Sequence, residues 1–153
     1  MEEQRIVDDE RITTFGRLVE AHARLTNVLD NELREALGLP LRWYGLLLHV
    51  GRSPHGVRPM KELIEATAFT SGGVTRLVDR IERAGLVQRL PCPTDRRVQH
   101  VGLTDAGQEM LQRATAVHLR GIQEHMIDAL DPGEVKRLNE ILPKLVAQSG
   151  GRR

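Results

Sequence analysis

The segment from residue 71 to residue 84 combines small, hydroxyl-bearing and arginine side chains at helical spacing. Its apolar residues recur at intervals of three and four, which predicts a helix with one buried face. They are Val74, Leu77, Val78 and Ile81. The candidate binding residues of this helix are Ser71, Gly72, Gly73, Thr75, Arg76 and Arg80, and the outward face also carries Asp79 and Arg83. Small residues permit close approach of a ligand, and a guanidinium can bind guanine bidentately or pair with phosphate. The pattern therefore predicts contacts with DNA.

An ordinary solvated helix face is the alternative interpretation of the same residues. Asp79 and Arg83 would then be neighbours one helical turn apart, as would Arg76 and Arg80. Two arginines one turn apart repel each other unless an anion neutralises them. That repulsion favours the DNA interpretation.

A second group of charged residues lies in the stretch LPCPTDRR, whose two prolines suit an exposed hairpin tip. The flanking segments Leu86–Arg89 and Val98–Leu103 are predicted to be strands. The tip carries Asp95, Arg96 and Arg97. A guanidinium on a projecting loop can enter a narrow minor groove, and a carboxylate two residues away can orient it. An exposed turn with incidental charge is the alternative.

The formal charge is distributed unevenly along the 153 residues. Residues 1–40 carry five basic and nine acidic side chains, for a net charge of −4. Residues 41–103 carry ten basic and five acidic side chains, for a net charge of +5, and the remainder is neutral. A basic middle between acidic and neutral flanks predicts that a polyanion meets the middle of the chain. A basic surface with no particular partner is the alternative.

Motifs for enzymatic chemistry are absent from the sequence. Gly51 and Gly56 have the spacing of a phosphate loop, but Val57 and Arg58 follow them in place of Gly-Lys-Ser/Thr. There is no GxSxG, HExxH or dinucleotide GxGxxG motif. We therefore expect no catalytic activity and no cofactor.

Cysteine and histidine usage argues against a metal site. The single cysteine, Cys92, excludes an intramolecular disulfide and an all-cysteine metal site. His118 and His125 are seven residues apart, too far within a helix to bind one ion together. We expect no metal, although a regulator that binds metal through histidines across a dimer stays an alternative.

The location of the protein is predicted from two further absences. No run approaches the ~20 apolar residues that a membrane span requires. The acidic start, MEEQRIVDDE, has no apolar core typical of a secretory signal. We expect a cytoplasmic protein with no membrane partner.

The apolar periodicity and the prolines predict the elements that position these groups. Two long helices are expected at residues 9–37 and from a Thr104 cap to Leu130, and a short apolar one at 41–50. Residues 60–68 and 71–84 form two short helices broken at Phe69–Thr70, with a C-terminal glycine at Gly85. Val57–Pro59 is a strand stub. The last helix begins at an Asp131 capping box and runs to about Val146, with Pro143 bending or interrupting it.

A continuous segment of this sequence resembles a known family signature. Residues 95–107, DRRVQHVGLTDAG, match every fixed position of the DxRxxxVxLTxxG signature of the multiple antibiotic resistance regulator (MarR) family. Upstream, SGGVTRLVDRIERAGLVQR resembles the recognition helix and first wing strand of that family. The resemblance implies a mainly α winged helix-turn-helix fold with a small β-hairpin wing and with N- and C-terminal dimerisation helices. The expected division is 1–40, 41–103 and 104–153, with the middle part binding DNA.

The resemblance also implies roles for individual residues. Arg97 corresponds to the minor-groove arginine of the wing tip and Asp95 to the acid that orients it. Ser71, Thr75 and Arg76 fall on major-groove positions. The oxidant sensors of the family carry their reactive thiol in the first helix, where this sequence has no cysteine, so that mechanism does not carry over.

These observations combine into one functional hypothesis. We expect a ligand-responsive transcriptional regulator, a repressor, that binds a pseudo-palindromic operator in double-stranded DNA as a homodimer. Arg17, His22 and Trp43 are the candidate contacts for a small aromatic acid. A winged-helix module for protein interaction is the rival class. The apolar stripes expected to join two chains are Phe15, Leu18, Leu25 and Leu29 on the first helix, and Leu138, Leu142 and Leu145 on the last.

Overall fold

The computed structural model describes residues 6–67 and 71–150 of the chain. The helices are α1 (Glu10–Leu37), α2 (Leu41–Gly51), α3 (Met60–Ala66), α4 (Ser71–Arg83), α5 (Asp105–His125) and α6 (Pro132–Gly150). The strands are β1 (Val57–Pro59), β2 (Val87–Pro91) and β3 (Gln99–Leu103). The predicted mainly α fold with a small hairpin is confirmed, while the predicted break at Phe69–Thr70 lies outside the described residues. No helix among the described residues is long and apolar enough to cross a membrane.

The three strands form one antiparallel sheet in the order β1-β3-β2. The predicted strand stub at Val57–Pro59 is confirmed, because Val57 pairs with Gly102 of β3. The hairpin between β2 and β3 is also confirmed, with Val87 opposite Leu103 and Pro91 opposite Gln99. β2 is an edge strand, which tolerates the missing N–H of Pro91. We refer to this hairpin and its tip, residues 87–103, as the wing.

Residues 26–118 form one compact unit. Its core takes apolar side chains from the end of α1, from α2 to α4, from β2 and β3, and from α5. The largest fully buried side chains are Leu33, Leu46, Leu47, Leu63, Ile81, Val50, Val74, Val78, Val87 and Val101. α2 supplies three of these residues, which agrees with the prediction that this apolar helix is central.

The described residues up to Leu25 and those from Leu119 to Gly150 form a second unit. The boundaries between the two units fall inside α1 and α5, and the division at residues 40 and 103 stays a prediction. The second unit exposes apolar side chains, and a groove of about 580 Å³ separates α1 from α6. Its apolar lining consists of Phe15, Leu18, Leu138, Ile141, Leu142 and Leu145. Leu29, expected in an interface between chains, is only 8% exposed and is already covered within its own chain.

The C-terminal elements correct two predictions. α5 ends at His125, short of Leu130, because Met126 leaves helical geometry and a 3-10 turn follows at Ile127–Ala129. The Asp131 capping box is confirmed: Glu134 N–H donates to Asp131 Oδ1, and Asp131 N–H donates to a Glu134 oxygen, both at 2.9 Å. α6 then continues to Gly150, past the predicted end at Val146, and Pro143 does not interrupt it, while the alternative of a bend at Pro143 stays a prediction. A proline removes a single backbone hydrogen bond, and the flanking turns retain theirs.

Candidate nucleic-acid interface

The two faces of α4 differ as the apolar spacing predicted. Val74, Leu77, Val78 and Ile81 are buried. Ser71, Gly72, Thr75, Arg76, Arg80 and Arg83 are exposed, and Gly73 is half-buried. Within residues 6–67 and 71–150, the three arginines of α4 form no ion pair. The helix therefore presents three uncompensated positive charges on its solvent side.

The hydroxyl of Thr75 is engaged by its own helix. It donates to the carbonyl oxygen of Ser71 at 3.0 Å, a bond that serine and threonine often make within helices. In this geometry the hydroxyl proton is engaged within the helix, and the oxygen offers lone pairs as acceptors to a ligand.

The acidic side chains of α4 are paired with an arginine of the wing, not with an arginine of the helix. Arg89 of β2 donates through its guanidinium to Asp79 Oδ1 at 2.5 Å and to Glu82. Its backbone N–H also donates to Glu82 Oε1 at 3.0 Å. Burial by itself lowers the pKa of Arg89, but the hydrogen bonds to Asp79 and Glu82 outweigh that effect and raise it. The Asp79–Arg83 pair of the alternative interpretation is therefore not formed, because Asp79 is paired with Arg89.

The wing tip brings together the residues predicted there. Asp95, Arg96 and Arg97 are all exposed. Arg97 N–H donates to Asp95 Oδ1 at 2.9 Å, and Arg97 Nε lies 3.8 Å from the same oxygen. This is the local turn that aspartate favours, a side-chain oxygen bound to a backbone N–H two residues on. The Arg97 side chain is 94% exposed, so its guanidinium is free to contact a partner.

The junction after the wing ties α5 to the end of α4. The Thr104 hydroxyl donates to the Gly85 carbonyl at 2.6 Å and accepts from Gly107 N–H at 3.0 Å. Thr104 is therefore the predicted cap of α5, and Gly85 has the positive φ of 76° expected of a C-terminal glycine. A Cβ on Gly107 would lie 1.8 Å from the Leu86 carbonyl oxygen. Only glycine allows this approach. Thr104 and Gly107 therefore hold the start of α5 against residues 85 and 86, which follow α4.

Trp43 lies in a basic cleft next to α4. Arg17 and His22, its predicted partners for a small ligand, are exposed residues of the other unit. The cleft has a volume of about 500 Å³. It is lined by Arg34, Pro40, Arg42, Trp43, Gly73, Arg76, Leu77 and Arg80. Arg34 and Arg42 were not identified from the sequence, since only the fold brings them to the N-terminal part of α4.

His118 of α5 contributes packing to the 26–118 unit. Its ring centroid lies 4.7 Å from that of Tyr44. Its Nδ1 is buried and has no hydrogen-bond partner in the described part of the chain. Burial lowers the pKa of His118, and the charge of Glu32 opposes that effect. The imidazole is therefore held in its neutral form.

Comparisons with known proteins agree with this geometry. Residues 37–98 match the model of the MarR family. The HTH-type transcriptional regulator MhqR of Bacillus subtilis is 32% identical over 59% of this chain, and the match spans 61% of MhqR. The solved structure of AbsC, a MarR family transcriptional regulator from Streptomyces coelicolor, superposes with a TM-score of 0.87 at 26% identity, covering 94% of this chain and 97% of AbsC.

A second structure from Streptomyces coelicolor is closer in sequence. Sco3205, a MarR family transcriptional regulator solved in complex with DNA, has a TM-score of 0.85 and 33% identity. The match covers 94% of this chain and 89% of Sco3205. Similarity of this extent, together with the family model and the signature at residues 95–107, confirms the predicted resemblance. The chain belongs to the MarR family of transcriptional regulators.

Proposed function

We propose that this protein is a ligand-responsive transcriptional repressor that binds a pseudo-palindromic operator in double-stranded DNA as a cytoplasmic homodimer. The observation that carries the proposal is the charge arrangement of α4. Among the described residues its three exposed arginines have no ion-pair partner, whereas its two acidic side chains are paired with Arg89. A helix face that contacts only water is not stabilised by unpaired arginines. A bound polyanion would pair with them and lower the free energy.

The contacts with DNA divide between α4 and the wing tip. Ser71, Gly72, Gly73, Thr75, Arg76 and Arg80 face the major groove in the proposed complex. Asp95, Arg96 and Arg97 face the minor groove. The exposure of all these residues except the half-buried Gly73 supports the assignment, and the DNA complex solved for Sco3205 supports DNA binding itself. α4 is the recognition helix in this scheme.

The proposed homodimer forms through the second unit. A second copy of the chain would cover the apolar groove between α1 and α6, where Phe15 is 67% and Leu145 is 47% exposed. Exposed apolar surface of this kind is typical of protein interfaces. A two-fold axis would then set the two recognition helices about one DNA turn apart.

The proposed effector is a small aromatic acid. The cleft beside α4 offers the indole of Trp43 for stacking and the guanidinium groups of Arg76 and Arg80 for a carboxylate. These two arginines also belong to the proposed DNA face, so bound ligand and DNA would compete for them. That Arg17 and His22 join Trp43 in a ligand site stays a prediction.

The DNA-binding proposal is tested by selecting duplexes from a random pool with the full-length chain and footprinting the best one. We expect two symmetric half-sites about 10 base pairs apart, and affinity that falls steeply between low and moderate salt. Arg76→Ala should cost about 1–3 kcal/mol on the selected duplex and less on random DNA. Arg113→Ala, an exposed arginine of α5, is the matched control. Binding that ignores salt, or a single asymmetric half-site, would contradict the proposal and favour a protein-interaction module.

The effector is tested separately by thermal shift with benzoate as the probe. Stabilisation of the wild-type chain that is lost in Trp43→Ala, together with release of the selected duplex, would support the aromatic acid. Stabilisation by neither benzoate nor its larger analogues would remove this ligand class and leave the DNA-binding proposal intact.

A further inference from the structure

One arginine outside the predicted DNA contacts binds both acidic side chains of the recognition helix. Arg89 lies on β2, and its guanidinium reaches Asp79 and Glu82 from the wing. Building on the DNA-binding function proposed above, we propose that Arg89 is a positioning residue for DNA binding: it cancels carboxylate charge on α4 so that the helix can approach phosphates. We call Arg89, Asp79 and Glu82 the Arg89 cluster.

The position of Asp79 on α4 explains why its negative charge must be neutralised for DNA to bind. At 100° per residue, Asp79 lies opposite the buried face of α4, on the same side as Arg76 and Arg83. An unpaired carboxylate there would lie close to the phosphates that the arginines attract. Like charges at such distances repel, and the repulsion grows as water is excluded from an interface.

The geometry of Arg89 suits charge cancellation. Its side chain is 21% exposed, and those of Asp79 and Glu82 are each 37% exposed. A guanidinium has five donors in a rigid fork, so one arginine can bind two carboxylates at once. The backbone N–H of Arg89 holds Glu82 as well, at 3.0 Å. Partial burial reduces screening by salt. The two ion pairs of Arg89 therefore persist at the salt concentrations at which DNA binds.

A purely structural clamp between β2 and α4 is the competing explanation. Both explanations expect Arg89→Met to weaken DNA binding, so this variant alone does not separate them. The charge of the cluster does separate them. One guanidinium and two carboxylates give −1 in the wild type, and Arg89→Met gives −2. Adding Asp79→Asn to Arg89→Met restores −1, although the hydrogen bonds of Arg89 stay broken.

The experiment measures affinity and its salt dependence by fluorescence anisotropy. The probe is a duplex of about 30 base pairs, long enough for two half-sites, selected from a random pool by the wild-type chain. We expect Arg89→Met to lower affinity about 10- to 100-fold and to make the plot of log K against log salt shallower by about one. Arg89→Met with Asp79→Asn should recover most of that affinity. Asp79→Asn alone should bind at least as tightly as the wild type.

Arg58→Met is the matched control for loss of a half-buried positive charge. Arg58 is 22% exposed, lies in the same unit on β1, and contacts Ser53 and Glu62, not α4. We expect a smaller loss of affinity from this variant than from Arg89→Met. Thermal melts of every variant show that the binding is measured on folded protein.

Each outcome supports or overturns the assignment. Equal losses in Arg89→Met with and without Asp79→Asn would overturn it in favour of the clamp. Should Arg89→Met fail to fold, Asp79→Asn and Glu82→Gln in the wild-type background decide, because reduced affinity in both would overturn it. A wild-type chain that selects no duplex would contradict the proposed function itself, and the role of Arg89 with it. If the wild-type chain binds DNA but Asp79→Asn does not rescue the affinity of Arg89→Met, only the role of Arg89 is overturned.

Discussion

The two compact units of this chain treat their apolar side chains in opposite ways. In the 26–118 unit, Leu47, Val78 and Val101 have no exposed surface at all. In the other unit, the groove residues Phe15, Leu18 and Leu145 are 67%, 45% and 47% exposed. One unit encloses its own core, whereas the other offers apolar surface to a partner.

This difference explains how the charges are distributed. Because the 26–118 unit already has a complete core, α4 and the wing tip can carry exposed arginines without weakening the fold. The second unit has large exposed apolar residues, which are unfavourable in water and become favourable when a second copy covers them. The DNA-contacting and dimerising properties that we propose therefore separate along the boundary between the units.

The largest expected effect is the loss of the close contact at Gly107. Gly107→Ala would place a Cβ 1.8 Å from the carbonyl oxygen of Leu86, and a backbone atom cannot move aside as a flexible side chain can. We expect a loss of at least about 3 kcal/mol in the free energy of unfolding, measured by urea denaturation.

Gly16→Ala is the control for this substitution. A Cβ on Gly16 meets nothing within 4 Å, and alanine is favoured over glycine in an exposed helix by about 1 kcal/mol. This variant should therefore be neutral or slightly more stable. Equal stability of Gly107→Ala and the wild type would show that the backbone at Leu86 can move away from residue 107.

Sequence reasoning located the exposed face of α4 and the turn at the wing tip because the evidence for both is local. The period of Val74 and Leu77 identified the outward face of α4, and the i, i+2 spacing of Asp95 and Arg97 identified their contact. The residue pattern located the cap at Thr104, and the family signature includes Gly107, but the close approach of Gly107 to Leu86 needed coordinates.

Contacts between elements distant in the sequence were missed. Arg89 is ten residues from Asp79 and seven from Glu82, and their meeting depends on how β2 packs against α4. From the sequence, Arg89 and Glu82 counted only toward the charge of a basic block, and Asp79 was considered only as a neighbour of Arg83. Arg34 entered the basic cleft for a similar reason, since nothing near it in the sequence indicates α4 as its neighbour.

The second prediction concerns the exposed apolar groove of the second unit. Phe15→Asp places a charge in the groove between α1 and α6, where desolvating it would be costly in an interface. We expect the homodimer to weaken by at least about 2 kcal/mol, seen as a shift to monomer mass in light scattering. Operator affinity should fall with it.

Val146→Asp is the matched control for the groove. Val146 is 73% exposed on α6 and does not line the groove. The dimer should survive this substitution. Dissociation by both variants alike would assign the interface to a broader surface, and dissociation by neither would remove the groove from the dimer scheme.

The third prediction separates function from folding within the 26–118 unit. Arg97→Ala should weaken operator binding by about 1–3 kcal/mol, because its side chain is 94% exposed at the wing tip. Asp95→Ala should cause a smaller loss, since the role proposed for Asp95 is to hold the turn that carries Arg97. Neither variant should change the melting temperature or the dimer. Unchanged operator affinity in both would exclude the wing tip from DNA binding.

The smallest expected effect concerns His118, the last residue of the 26–118 unit. Burial lowers the pKa of His118 in the folded chain, and Glu32 opposes the shift only in part. Below the ordinary histidine pKa of about 6.5, the unfolded chain therefore takes up a proton that the folded chain does not. Stability is complete above that pH and is lost progressively as the pH falls towards the folded-state pKa. His49, whose pKa is lowered by burial and by Arg58 and Arg52, adds a loss of the same sign.

We therefore expect the melting temperature to drop by about 2 °C as the pH falls from about 7.5 to about 5.5, and the drop to be smaller in His118→Phe. Phenylalanine keeps a ring against Tyr44 and has no nitrogen to protonate. Because the imidazole is neutral at the higher pH, the difference between the two chains should grow only on acidification. An equal drop in melting temperature in the wild type and His118→Phe would mean that Nδ1 of His118 is solvated in the folded chain. The packing around His118 would then admit water, unlike the packing at Gly107.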